Sequence, residues 1–167
     1  MTLASLLDAL YETRLADQIR ENEFAFPSIE TVHVLAISLV VGSIAVLDLR
    51  LLGWASRERP VSRLSAEVLP ITWTAFAIAV ASGLLLFASN APKYAANPYF
   101  RAKLVLIVLA GINMLVFQRV TRRSLATWDA EVATPRAARI AAALSLVAWM
   151  TVVAAGRWIG FTMLAGY

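Results

Sequence analysis

Four long apolar blocks constrain this chain more than any other feature it has. They cover residues 29–55, 68–89, 102–120 and 137–161. A helix needs about 17–25 mostly apolar residues to cross the hydrocarbon of a bilayer, and each block reaches that length. Of the 167 residues, 60% are hydrophobic and only 16% charged. A soluble domain averages about 45–50% apolar and about 25% charged. Disordered and fibrous chains are excluded, and the composition departs from that of a soluble domain in the direction of membrane burial. Each block is apolar nearly all round, unlike the one-sided helix of a soluble fold. Gly42, Ser43, Ala79, Ser82, Gly83, Gly111 and Ala141–Ala143 are small enough to let helix backbones approach closely. Short connections favour antiparallel neighbours. The expected fold is an all-α membrane protein, a four-transmembrane-helix up-down bundle.

A net charge of +4 and a pI near 10.0 could suggest nucleic acid. The basic residues lie in the connections instead, so the expected partner is the lipid bilayer and no nucleic acid. Arg57, Arg59 and Arg63 in the first connection join Arg119, Arg122, Arg123, Arg136 and Arg139 around the third, making eight. Only Arg14, Arg20, Lys93 and Arg101 lie on the opposite side. The positive-inside rule then puts the first and third connections in the cytoplasm and both termini in the periplasm. Residues 1–28 form a separate amphipathic unit, with Leu3, Leu6, Leu7 and Leu10 at helical spacing and Pro27 expected to divide it from the transmembrane domain, 29–167. That segment lacks the basic start and apolar core of a signal peptide.

Ionisable residues inside spans are costly and point to function. Glu30 and His33 lie near the periplasmic end of the first span, Lys103 at the matching end of the third, and Arg157 at that of the fourth. His33 is the only histidine; it suits a haem or metal ligand, a proton-transfer group, or a plain interhelical hydrogen bond. Glu30, His33, Ile37 and Ile44 share one helical stripe. Lys103 and Arg157 either serve a site or snorkel to headgroups. Asp48 and Arg50, about 22 Å further along the first helix at 1.5 Å per residue, are expected to pair with each other or with neighbouring helices and fix packing at its other end, a role in chemistry being the alternative. Trp54, Trp73, Trp158, Tyr94 and Tyr99 suit an interfacial aromatic belt. The chain has no cysteine, no phosphate-binding loop and no HExxH. Glu30-x-x-His33 is half of a di-iron motif that requires a second ExxH.

The first span, His33 through Gly42 followed by Arg50, resembles the opening helix of the bacterial haem-dependent, oxygen-independent protoporphyrinogen oxidases. Copper-resistance D-type membrane domains share that organisation. The third span, in which Lys103 opens an apolar run, resembles those oxidases' third helix, and the SGLLLF and GRWIGF runs fit the same superfamily of inner-membrane proteins. Val41 and Leu49 stand where the oxidases usually have Trp and Pro, and Asn113 and Met114 where they tend to have His. The resemblance implies a bacterial inner-membrane location and a redox protein that binds haem b. His33 would be the axial ligand and metal-binding residue, Lys103 the catalytic partner, Lys103 and Arg157 the holders of propionates or an anionic substrate, and Glu30 the residue that orients His33. These groups are expected to share one cavity near the periplasmic face. Whether the protein is an oxidoreductase stays open. The alternatives are binding or transport of a small ligand or copper, and a subunit that works through a membrane partner or as a homo-oligomer. The topology is checked by reporter fusions at the C-terminus. A periplasm-only reporter is expected to be active there, and activity of a cytoplasm-only reporter reverses the orientation.

Overall fold

A computed structural model describes residues 2–117, 119, 125–129 and 134–164 of the chain. Arg122, Arg123 and Tyr167, which enter the topology expectation, lie outside the described residues. Four helices are long and apolar enough to cross a membrane: α3 (Ala25–Leu52), α4 (Val61–Ser89), α6 (Pro98–Val116) and α8 (Arg136–Leu164). The shortest, α6 with 19 residues, extends about 28 Å and so just matches the hydrocarbon thickness. Among the described residues there is no strand. The all-helical, four-span architecture follows from sequence periodicity and length, and Leu35, Val105, Val108, Val147 and Met150 present the exposed apolar rows that lipid would cover.

The N-terminal unit is helical but divided. Thr2 and Thr13 each act as an N-cap, their hydroxyls accepting from Ser5 N–H and Ala16 N–H at 3.3 Å. The result is α1 (Leu3–Tyr11) and α2 (Arg14–Glu21) in place of one continuous helix. Pro27 does not separate this unit from the first span. It sits in the first turn of α3, where backbone N–H groups have no intrahelical partner and a missing one costs nothing. The break falls at Asn22, which leaves the helix in an extended conformation. Ala16 and Ile19 of α2 are buried, whereas Leu3 and Leu6 of α1 are exposed. Arg20 fastens the unit: it pairs with Asp17, donates to the carbonyls of Tyr11 and Ser89 at 2.9 Å each, and lies 3.9 Å above the Tyr11 ring.

Each span ends for a local reason. Gly53, at φ +75°, closes α3 in the left-handed conformation that favours glycine. Between α4 and α6 lies α5 (Ala91–Ala96), followed by Asn97, whose Oδ1 caps α6 by accepting from Tyr99 and Phe100 N–H. Asn97 also donates from Nδ2 to Thr162 Oγ1 at 2.7 Å, joining the start of α6 to the end of α8. The first residues of α4 have no cap of their own. Asp129, just after the short helix α7 (Leu125–Trp128), supplies it from a distance: its carboxylate accepts from Ser62 N–H at 2.7 Å and from the Ser62 hydroxyl, while its carbonyl accepts from Val61 N–H.

Packing is uneven around the bundle. α3 lies along α4 and α8, and α6 along α8, but α4 and α6 make little close backbone contact. The Arg50 end is sealed by Leu51, Val61, Trp128, Ala138 and Ala142. Arg50 itself is fully buried there, donating from Nε to the Arg59 carbonyl at 2.8 Å and from Nη1 to Thr134 Oγ1 at 3.4 Å. The expectation that it fixes packing at this end is met, through the two connections that flank α4 and α8.

Burial pulls the Asp129 carboxyl upward, but hydrogen bonds from Ser62 and Val61 and the charge of Arg50 hold it below the ordinary carboxylate value. A carboxylate with a depressed folded-state pKa stabilises the fold above its unfolded pKa and loses that contribution as pH falls through the folded value. Asp129→Ala is therefore expected to lower stability in detergent by about 1 kcal/mol at pH 7. Asp129→Asn is expected to keep most of the cap, and the gap between wild type and Asp129→Ala to shrink below about pH 4 in unfolding titrations.

Candidate functional site

The structure distributes the polar residues of the spans between two levels. At the first, His33 on α3 is half-buried and its ring rests over Gly83 of α4. A β-carbon at Gly83 would fall 2.9 Å from His33 Cε1, so only glycine permits this approach. Ser82 Oγ lies 3.0 Å from Nδ1. With its own proton donated to the Ile78 carbonyl at 2.7 Å, the Ser82 hydroxyl is free to accept from Nδ1. Lys103 on α6 is half-buried along Gly156 of α8, its Nζ 3.6 Å from where a β-carbon there would stand. Its ammonium is near enough to act electrostatically on His33. These two residues are brought to one level from opposite sides of the bundle.

Glu30 and Arg157 are exposed. Glu30 acts on Tyr94, whose hydroxyl pKa is raised by burial and by that negative charge. Arg157 lies 4.7 Å above the Phe161 ring. The residue that orients His33 is Ser82. Around this level Phe87 stacks on Phe100 at 5.3 Å, drawing α4 and α6 together.

The second level holds Asp48, for which sequence reasoning put packing before chemistry. A cavity of about 200 Å³ lies in the half of the bundle nearer Arg50, between α3, α4, α6 and α8. Its wall is mainly apolar, with Ile44, Leu47, Phe76, Ile107, Met114 and Trp149 prominent. Neither His33 nor Lys103 lines it; this cavity lies where α4 and α6 diverge. Trp73, expected in an interfacial belt, sits midway along α4 and is half exposed at the cavity's edge. The Phe76 and Trp149 rings meet edge-on at 6.5 Å across α4 and α8.

Polar groups on this wall are few and mostly paired. Thr72 shares a 2.8 Å hydrogen bond with Ser43, and Asn113 donates to the Ala141 carbonyl at 2.9 Å. Asp48 is 5% exposed and receives a hydrogen bond from Ser145. Its Oδ2 has no partner among the described residues. A signal for Asp48 was present in the chain: the stripe through His33, Ile37 and Ile44 reaches it four residues further on. Among the described residues no three His, Cys, Asp or Glu side chains come together.

No curated protein and no solved structure matches the chain. A family model does, over residues 24–162, which take in nearly the whole of all four spanning helices. The chain belongs to this family, DUF6644, a family of unknown function.

Proposed function

We propose that this integral membrane protein binds a small, largely apolar molecule inside its helix bundle. The observation that carries the proposal is the cavity of about 200 Å³ between the four spans. Leaving such a space empty forgoes several kcal/mol of packing, yet α4 and α6 stand apart across it. For scale, an apolar cavity of about 150 Å³ holds benzene, so a ring with one short substituent fits. The half-exposed Trp73 at its edge suits access from the lipid, where such molecules concentrate. The charge asymmetry of the connections supports a bacterial inner membrane orientation with the cavity in the cytoplasmic half.

Gly111 provides the test. It lines the cavity, and a β-carbon there meets nothing within 4 Å, so Gly111→Leu directs a side chain into the space from an unstrained start. Toluene or benzyl alcohol at about ten times its Kd adds about 1.4 kcal/mol of stability. The unfolding midpoint of wild-type protein in detergent is expected to rise by a few degrees, and that of Gly111→Leu to stay unchanged. If neither compound raises the wild-type midpoint, the cavity is not a binding site. Isolation with a stoichiometric membrane partner would favour the accessory-subunit alternative.

A second reading is haem b ligation by His33, the residue that the resemblance to the oxidases puts in that role. A ring that donates from Nδ1 is set to ligate through Nε2, and Lys103 beside it is a cation suited to a propionate. One histidine ligand to haem b is what the resemblance to the oxidases implies. Bound haem would supply one-electron redox chemistry; Arg157 and Glu30, both exposed, would act from the rim. A Soret band in gently solubilised protein, lost in His33→Ala, is the expected outcome. Colourless folded protein from haem-replete cells overturns it.

A further inference from the structure

We infer that Asp48 makes the cavity selective for a small protonated amine with an apolar body. This rests on the cavity-binding function proposed above and specifies its ligand. Among the described residues Asp48 is the one ionisable side chain on the cavity wall, and it is 5% exposed. Ser145 donates to its carboxylate, while Oδ2 is unmatched among the described residues. Among the described residues, the neighbouring cations Arg50 and Lys103 point elsewhere. Arg50, two residues along α3 and so on a different face, donates to Arg59 and Thr134. Lys103 lies along Gly156 toward the His33 end.

A carboxylate out of water is costly unless a donor or an opposite charge meets it, and inside a bilayer such a group marks a functional site by default. An ammonium supplies both the charge and up to three donors. A neutral alcohol supplies one hydrogen bond, and a hydrocarbon none. Charge-assisted hydrogen bonds are roughly twice as strong as neutral ones, so the preference should follow that order. The rest of the ligand meets Phe76, Ile107, Met114 and Trp149, which form an apolar wall with aromatic faces. At about 200 Å³ the cavity is smaller than the 300–1,000 Å³ typical of drug-sized ligands. The ligand is therefore a ring or short branched chain carrying one amine, and extended polyamines and lipids are too large.

Benzylamine, benzyl alcohol and toluene share one ring and differ at one substituent. Their affinities at pH 7 are measured by calorimetry on the full chain in a neutral detergent. Gly111→Leu reports partition into the micelle alone. Wild type is expected to bind benzylamine about tenfold more tightly than benzyl alcohol, the equivalent of about 1.4 kcal/mol. Asp48→Asn keeps the side-chain shape and is expected to abolish that preference while retaining toluene. Because it replaces a buried carboxyl whose Oδ2 is unmatched among the described residues, its unfolding midpoint should equal or exceed that of wild type. Equal wild-type affinities for the amine and the alcohol overturn the inference and leave the cavity function standing. So does a preference that survives in Asp48→Asn. The wild-type ratio decides the matter by itself if that variant cannot be purified.

Discussion

A polar side chain inside hydrocarbon has no water to turn to, and the helices of this protein are joined where two such groups meet. Ser43 and Thr72 tie α3 to α4. Asn113 and the Ala141 carbonyl, then Asn97 and Thr162, tie α6 to α8. Each bond is modest, about 0.6 kcal/mol on average in a membrane bundle, but each also fixes the rotation of a helix that is apolar nearly all round. Without these pairs, little in the pattern of Leu, Val and Ala would distinguish one helix face from another. Asp48 stands outside this arrangement, because Ser145 answers only part of its hydrogen-bonding capacity.

The two ends of the bundle are closed by different means. At the Arg50 end, a buried guanidinium holds the connections on either side of it, and Asp129 caps α4 from the segment before α8. At the His33 end, Arg20 binds the α4 terminus to the N-terminal helices, and the Phe87–Phe100 stack draws α4 toward α6. Between these closures α4 and α6 separate, and the space between them is bounded by α3 and α8. Two rigid ends with an opening between them make a cavity that need not collapse when empty. The unmatched carboxylate and the packing gap coincide at that point, and each alone would be a weaker indication of a ligand.

Glycines divide the polar residues into the two levels. Gly83 admits the His33 ring and Gly156 admits the Lys103 stem, so both side chains are absorbed into helix contacts near their own end. Gly111 has open space beside it and leaves room in the cavity wall. A glycine in a span reads the same way in a sequence whether it receives a neighbour's side chain or leaves a void, and only the facing helix separates the two cases.

The amino-acid sequence by itself determined the fold. Four apolar stretches of spanning length can satisfy their backbones in lipid only as helices, and Gly53, Asn97 and Pro98 mark boundaries by local chemistry alone. It also placed His33 and Lys103 at one level, because counting residues along helices gives depth at 1.5 Å per step. It could not supply rotation or spacing between helices, which for all-round apolar segments depend on which small residues and polar pairs meet across the interface. For that reason the break at Asn22, the remote cap from Asp129 and the separation of α4 from α6 were legible only in the tertiary structure. Asp48 shows the division most clearly: its stripe on α3 was visible in the chain, but the cavity it faces exists only because four helices stop short of closing around it.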